Sequence, residues 1–301
     1  MPTDDIVHVF VVQRMDPHSL SFRAILHFPS LSSSSSSSSL PLFMVTGWFC
    51  GCIRIVRKEQ TIDASALSSV QGLPITREWF DGPGKRDFQV EATATPPRCV
   101  IVVEKEGIYN RLSEDRFFER FPCVLVTGKG FPDLATRALV WTLHHEVGLP
   151  VVGLCDCNPY GIGVLHTYHA GSDRIGIDGG NRYSVPIGWL GLRPSHVRKL
   201  RAQNMLPNSV YQQLTDQDRK RLQNLSGDSH PFHADCIVEK DEHGNQYSKG
   251  DDRLDELLLM QESGIKVELE ALHWLGLEYV SDWLEETFLK HDSEEDELAI
   301  L

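Results

Sequence analysis

The sequence predicts an α/β fold built around a parallel sheet. Three short apolar runs, at residues 99–103, 123–126 and 151–155, read as buried strands, and a helical stretch at 133–147 separates the last two. Strands that alternate with helices are typical of parallel sheets. In such sheets, functional groups gather beyond the carboxyl ends of the strands.

The elements around this unit divide the chain into five predicted segments. Residues 1–43 contain a serine tract at 30–39 and are expected to be disordered or wrongly assigned to the protein. Residues 44–98 are expected to supply a linker and strands that enter the α/β unit. The unit itself is expected at 99–190, with helices near 108–121, 133–147 and 161–169. A mostly helical extension is expected at 191–290, and a solvated acidic tail at 291–301.

The charge of the chain lies at its C-terminal end. The net charge is −13, and residues 251–301, with sixteen acidic and three basic side chains, account for all of it. The rest of the chain is balanced, so the acidic composition does not exclude binding to nucleic acid.

Cysteine usage and hydropathy indicate a protein of a reducing compartment. There are seven cysteines, and several fall in or beside the predicted strands, as ordinary core residues do. The start of the sequence lacks the basic region of a signal peptide. The apolar run at 40–56 is interrupted by proline, glycine and arginine, so no membrane span is predicted.

Two acidic residues follow the predicted strands at the expected sheet edge. Glu104 ends the first run, and Asp156 ends the third and is followed two residues later by Asn158. Carboxylate and amide oxygens are ligands that suit Mg²⁺, so these three residues are candidate metal ligands. The alternative is that they are a helix cap and turn residues with no metal to hold.

Several longer motifs in the same order resemble a known family. The motifs are the run from Val102 to Glu106, then Arg111-Leu112, Asp115 to Phe118, Thr127 to Arg137, Gly148 to Pro150, Asp156 to Ile162, Val185 to Leu192 and Lys266 to Leu272. Together they resemble the Toprim half of the topoisomerase VI A-type subunit, and of its relative, the meiotic protein that makes recombination-initiating double-strand breaks. The resemblance covers about residues 44–290.

The resemblance implies a Toprim domain that holds Mg²⁺ through Glu104, Asp156 and Asn158. The family's second position of this motif is more often aspartate, so Asn158 contributes one negative charge fewer and weaker metal binding is expected. The family also carries a winged-helix domain with a tyrosine that attacks a DNA phosphodiester. No tyrosine precedes Tyr109 here, so the catalytic tyrosine is expected to be missing. Three explanations remain open: a truncated gene model, an alternative product, or a partner subunit without chemistry of its own.

Other candidate sites are weaker. Lys129, in a glycine-flanked turn, and Arg137 could contact DNA phosphates, or they could be a surface turn and a helix-face arginine. The basic clusters at 198–201 and 219–221 read as solvated helix faces more readily than as a nucleic-acid surface. His230, His233 and Cys236 have a spacing that is unusual for zinc.

The function predicted from these observations is that of a DNA-binding, Mg²⁺-dependent subunit of a type IIB topoisomerase, on the meiotic break-forming branch. Its expected partners are double-stranded DNA and a second A-type subunit in a homodimer or heterodimer, and an ATPase B-type subunit is a further candidate partner. A nuclear location follows from the resemblance. The alternatives are a stand-alone Toprim nuclease and a non-catalytic scaffold subunit.

Overall fold

A computed structural model describes most of the predicted α/β unit and its C-terminal extension. The described residues are 23–25, 47–57, 60–66, 70–75, 88–171, 183–226, 237–240, 246–249 and 253–299. Of the N-terminal segment 1–43, only residues 23–25 are described, and they form a short strand. The zinc candidates His230, His233 and Cys236 lie outside the described residues.

The described chain contains fourteen strands and eight α-helices. The strands are β1 (Arg23–Ile25), β2 (Gly47–Gly51), β3 (Ile53–Arg57), β4 (Gln60–Asp63), β5 (Leu73–Ile75), β6 (Phe88–Ala92), β7 (Cys99–Val103), β8 (Cys123–Thr127), β9 (Val151–Leu154), β10 (Gly188–Gly191), β11 (Gln212–Gln213), β12 (Ile237–Lys240), β13 (Gln246–Lys249) and β14 (Ile265–Lys266). The α-helices are α1 (Glu106–Glu114), α2 (Phe117–Arg120), α3 (Leu134–His145), α4 (Pro159–Ala170), α5 (Pro194–Ala202), α6 (Asp216–Leu225), α7 (Arg253–Ser263) and α8 (Tyr279–Ala299). Two 3₁₀ helices, Asn208–Val210 and Leu269–Leu275, complete the set.

The main sheet has six strands in the order β10-β9-β7-β8-β2-β5. The four strands from β10 to β8 are parallel, which confirms the predicted parallel sheet. Strand β2 runs antiparallel to β8, and β5 runs antiparallel to β2, so the segment before residue 99 extends this sheet directly. Every residue of β7 and of β8 is buried, as expected for parallel strands with both faces covered.

The predicted helices follow the sheet strands, with one difference. The predicted helix at 108–121 is two helices, α1 and α2, because Arg116 between them has a left-handed backbone with φ of 48°. Helix α3 begins where the Asp133 side chain accepts a hydrogen bond from the Thr136 N–H at 2.8 Å. It ends before Gly148, whose φ of 82° favours glycine.

The C-terminal extension packs back onto the sheet edge. A backbone bridge joins Cys157 to Val267, through N–H···O bonds of 2.9 and 3.1 Å. This bridge places the segment after β14 against the chain that leaves β9. Helix α8 continues to Ala299, where a solvated tail was predicted from residue 291.

Smaller sheets flank the main one. Strands β1, β6, β3 and β4 form an antiparallel sheet, and β12 pairs with β13 inside the extension that was predicted to be mostly helical. Among the described helices, none combines the length and apolar character that crossing a membrane requires.

Candidate metal and DNA site

Glu104 and Asp156 lie together at the carboxyl ends of neighbouring strands. Glu104 follows β7 and Asp156 comes just after β9, and the two strands are paired in parallel. The Asp156 N–H donates a hydrogen bond to Glu104 Oε2 at 2.9 Å, and the Glu104 N–H donates to the Leu154 carbonyl at 2.9 Å. The sheet therefore brings together two acidic residues that are 52 positions apart in the sequence.

Gly161 makes room for this pair. A methyl group at this position would lie 2.8 Å from Glu104 Oε2 and 2.6 Å from the Asp156 carbonyl oxygen. Both distances are shorter than ordinary carbon–oxygen contacts, so a side chain would displace the carboxylate or the loop. The glycine is thus part of the site because the first turn of α4 passes directly over Glu104.

The C-terminal extension fixes the orientation of Asp156. The Leu269 N–H donates to Asp156 Oδ1 at 2.8 Å, and the Asp156 side chain is almost fully buried. The other oxygen, Oδ2, lies 3.2 Å from the Lys105 ammonium. One carboxylate therefore has a backbone donor on one side and a cation on the other.

Lys105 is the centre of an acidic cluster that sequence patterns did not identify. Its Nζ lies 2.6 Å from Glu270 Oε2 and 3.1 Å from Glu268 Oε2, in addition to Asp156. Glu268 and Glu270 flank the buried Leu269 in the segment that packs on the site. The available signals were the position of Lys105 beside Glu104 and the alternation of the two glutamates, but no sequence rule placed the two segments together.

Burial perturbs the protonation equilibria of the site. Burial, reinforced by the charge of Asp156, raises the pKa of Glu104 to about 7. Burial also raises the pKa of Asp156, although the Leu269 N–H and Lys105 oppose that shift. For Lys105, burial lowers the pKa, but the hydrogen bond to Glu270 and the charge of Asp156 outweigh it and the net pKa is raised. Two buried carboxylates with raised pKa values form a pair that a cation would stabilise.

Asn158, a candidate metal ligand in the sequence, caps a helix in the structure, which is the alternative that the sequence left open. Its Oδ1 accepts hydrogen bonds from the N–H groups of Tyr160 and Gly161, at 2.9 and 2.8 Å, and so caps α4. Its amide nitrogen is directed at Asp156 Oδ2, at 3.4 Å. The amide oxygen that could ligate a metal is therefore engaged at the helix N-terminus.

The two predicted DNA contacts differ in accessibility. Lys129 is partly exposed, pairs with Glu106 at 2.7 Å and lies 5.4 Å from the centre of the Trp48 ring. Its turn is anchored to the site, since the Gly130 N–H donates to the Glu104 carbonyl at 2.9 Å. Arg137 is fully buried in α3, so its position does not support a contact with DNA phosphate.

Arg221 is a basic residue beside the site, in a cluster that the sequence pattern assigned to a solvated helix face. Its guanidinium lies 4.5 Å from the Tyr160 ring centre and 5.6 Å from that of Phe131. Its Nε donates to the Pro159 carbonyl at 3.1 Å, at the start of α4. Two exposed aromatic rings and an arginine therefore lie at the start of α4, whose first turn passes over Glu104.

The donor set fits a weakly held Mg²⁺ that is completed by other ligands. Glu104 and Asp156 supply two fixed carboxylates, whereas Asn158 is engaged elsewhere and Lys105 already contacts Asp156. Within the described residues, no group of three or more histidine, cysteine, aspartate or glutamate side chains is arranged to hold a metal ion. Two carboxylates with water and phosphate oxygens match the way proteins commonly bind Mg²⁺.

Comparison with known proteins supports the resemblance inferred from the motifs. Residues 99–289 match the family model that describes the Toprim domain of Spo11 and of the topoisomerase 6 A-type subunit. The chain is 36% identical over 183 residues to the A-type subunit of DNA topoisomerase 6 from Arabidopsis thaliana, covering 61% of this chain and 38% of that protein. It is 33% identical over 196 residues to meiotic recombination protein SPO11-2 of Oryza sativa subsp. indica, covering 65% and 44%. The chain therefore spans less than half the length of these relatives.

Proposed function

Because the chain belongs to the family of Spo11 and the topoisomerase 6 A-type subunit, we propose that it is a DNA-binding, Mg²⁺-dependent subunit of the kind that makes meiotic double-strand breaks. The observation that carries this proposal is the contact between Glu104 and Asp156 at the carboxyl edge of the parallel sheet. Relatives named as meiotic recombination proteins support the meiotic role and a nuclear location.

In this proposal, Glu104 and Asp156 hold the cation against the DNA phosphate. When bound, Mg²⁺ would neutralise charge that develops on the phosphate oxygens. Asp156 keeps its orientation through the Leu269 N–H, and Gly161 allows α4 to pass close to Glu104. Lys129, anchored through its turn to the end of β7, would contact a neighbouring phosphate.

The attacking tyrosine is proposed to come from outside residues 1–301. In the reaction, the tyrosyl oxygen forms a bond to phosphorus while the sugar 3′-oxygen leaves, so one phosphodiester replaces another. Tyr109 and Tyr168 are fully buried. Tyr160 is 36% exposed and lies beside the site, so it serves as the control for a nucleophile within this chain. The partners proposed are double-stranded DNA, a complete A-type subunit in a dimer and an ATPase B-type subunit.

Complementation between subunits tests this function. The chain is combined with a complete family member that keeps its tyrosine but has its own Toprim glutamate changed to glutamine. Duplex DNA and Mg²⁺ are added, and covalent DNA–protein adducts are measured after denaturation. The proposal predicts adducts with the wild-type chain and with Tyr160→Phe, and none with Glu104→Gln. Equal adduct levels with wild type and Glu104→Gln would reject it.

A non-catalytic DNA-binding or scaffold subunit is the second candidate. It is favoured by Lys105, whose ammonium already lies 3.2 Å from Asp156, and by the use of the Asn158 oxygen as a helix cap. In the complementation experiment, this candidate predicts a complex that binds DNA and forms no adduct. DNA cleavage without an adduct would instead identify a Toprim nuclease.

A further inference from the structure

The position of Lys105 carries an inference about how the acidic site is controlled. Its ammonium contacts three carboxylates from two segments: Asp156 at 3.2 Å, Glu268 at 3.1 Å and Glu270 at 2.6 Å. Its side chain is 23% exposed, so it lies between the buried Asp156 and the more exposed pair. The Lys105 ammonium thus occupies a position beside Asp156 Oδ2 that a divalent cation bound to this carboxylate would need.

The charge balance of the cluster shows why Lys105 alone does not complete it. When ionised, Glu104, Asp156, Glu268 and Glu270 carry four negative charges, against the single positive charge of Lys105. Oppositely charged groups within about 4 Å attract strongly where solvent is partly excluded, and like charges repel equally. The cluster therefore retains an excess of negative charge that a second cation would neutralise.

Glu268 and Glu270 are positioned so that the Lys105 ammonium could move away from Asp156 towards the solvent and stay near a carboxylate. The Leu269 N–H bond to Asp156 and the bridge between Cys157 and Val267 fix the backbone of this segment. Glu268 and Glu270 are about half exposed, at 51% and 42%. A lysine that leaves Asp156 can therefore keep a carboxylate partner while its ammonium faces the solvent.

We propose that Lys105 is a tethered cation that occupies the Asp156 carboxylate until a divalent cation binds, and then turns to a DNA phosphate oxygen. Glu268 and Glu270 are its alternative ion-pair partners, and they set how readily its ammonium leaves Asp156. This inference rests on the proposed function, because it assumes that Glu104 and Asp156 hold the cation. It assigns roles to three residues beyond that pair.

Binding of Mn²⁺, measured by electron paramagnetic resonance with Mg²⁺ as competitor, tests the first step. Lys105→Met keeps an unbranched side chain that is one atom shorter and removes its charge, whereas Lys105→Arg keeps the charge. The expected result is about tenfold tighter Mn²⁺ binding by Lys105→Met and near wild-type binding by Lys105→Arg. Equal affinity of wild type and Lys105→Met overturns the inference and leaves the proposed function standing. If neither protein binds Mn²⁺, the metal site and the inference fail together.

A double-mutant cycle distinguishes two roles of Glu270, an ion-pair partner of Lys105 and a direct metal ligand. Glu270→Gln is measured alone and together with Lys105→Met. If Glu270 acts through Lys105, Glu270→Gln weakens Mn²⁺ binding severalfold in the wild-type background and by less than twofold in the Lys105→Met background. An equal loss in both backgrounds would make Glu270 a ligand itself and contradict its proposed role.

Affinity for duplex DNA tests the final step. In the presence of Mg²⁺, Lys105→Met is expected to bind DNA at least threefold more weakly than wild type, and Lys105→Arg is expected to restore binding. Without a divalent cation, Lys105 is engaged with carboxylates, so wild type and Lys105→Met should bind equally. DNA affinity that is unaffected by Lys105→Met under both conditions would contradict the contact with phosphate.

Discussion

The two ends of the central parallel strands carry opposite chemistry. At the carboxyl ends of β7 and β9, Glu104 and Asp156 meet beneath the first turn of α4. At the amino ends, Cys99 of β7 is in register with Cys123 of β8, and both thiols are buried. Burial raises the pKa of Cys99 to about 12 and that of Cys123 as well, so these thiols stay neutral.

The difference shows that burial alone does not make a site. Ionisable groups are removed from water at both ends of the sheet. Only the carboxyl end adds backbone N–H donors from Asp156 and Leu269 and an ammonium from Lys105. Those partners make charged side chains tolerable. At the cysteine end, burial outweighs the nearby positive charge of Arg98, and the Cys99 thiol stays neutral.

A methyl group at Gly161 should disrupt the carboxylate pair at the carboxyl ends of β7 and β9. In Gly161→Ala, the new carbon would lie within 3 Å of the Glu104 carboxylate and the Asp156 backbone, so the pair must separate. We expect at least a tenfold loss of Mn²⁺ affinity, with a stability loss of about 1–3 kcal/mol from overpacking. Calorimetric titration and urea unfolding measure the two effects.

Gly107→Ala is the matched control for that change. Apart from its chain neighbours and the backbone of its own helix, no heavy atom of the described residues lies within 4 Å of a methyl group at this position in α1. Alanine favours helix over glycine by up to about 1 kcal/mol, so this variant should be unchanged or slightly more stable. If both glycine variants lose metal binding alike, the close approach at Gly161 is not the reason.

A polar change at the cysteine end should affect stability and leave the site intact. Cys123 is fully buried, so Cys123→Ser places a hydroxyl in an apolar environment at a cost of about 1–3 kcal/mol. Urea unfolding measures this loss, and Mn²⁺ affinity is expected to match wild type. Weakened metal binding in Cys123→Ser would show that the two ends are coupled.

Substitutions at Asn158 separate its role as a cap from its role as a ligand. Asn158→Ala removes the acceptor for two N–H groups at the start of α4 and should cost about 1 kcal/mol. Asn158→Asp retains the cap and adds a negative charge beside Asp156, so Mg²⁺ binding should tighten severalfold. Equal Mg²⁺ affinity of wild type and Asn158→Asp would refute the expectation of weaker binding drawn from the sequence.

The smallest expected effect lies away from both ends, at Glu146. Burial raises the pKa of this residue from 4.5 to about 7, so the folded state binds a proton more tightly than the unfolded chain. The stability of the fold relative to the unfolded chain is therefore fully present below pH 4.5, where Glu146 is protonated in both states, and part of it is lost as the pH rises through about 7 and the buried carboxyl ionises. Because the side chain is only partly buried, Glu146→Gln should stabilise the protein above pH 7 by about 1 kcal/mol or less. Thermal unfolding at pH 5 and pH 8 tests this, since the gain should appear only at the higher pH.

Sequence patterns predicted the parallel strands and the acidic pair because both depend on local periodicity and on a general property of sheet edges. The runs that became β7, β8 and β9 are short, apolar and separated by helices, and the carboxyl ends of parallel strands share one edge of the sheet. That β7 and β9 are direct neighbours is shown only by the structure. The antiparallel strands β2 and β5 carried weaker patterns, and their place in the same sheet depends on pairing with β8.

The remaining parts of the site depend on contacts between distant segments. Lys105 meets Glu268 and Glu270 across more than 160 positions. The bridge between Cys157 and Val267 holds the segment with the two glutamates against the chain that follows β9, and β9 pairs with β7, whose end precedes Lys105. The burial of Arg137 also could not be predicted from the sequence. Its sequence position suggested a surface arginine, and only packing of α3 reveals that it is buried.

The proposed metal pair is tested most directly by Mn²⁺ binding to the wild-type chain, Glu104→Gln and Asp156→Asn, with Mg²⁺ as competitor. Both substitutions keep the shape of the side chain, and circular dichroism checks that the fold is retained. We predict that wild type binds Mn²⁺ and that each variant loses at least tenfold in affinity. Affinities that do not differ among the three proteins would contradict the claim that this pair holds the metal.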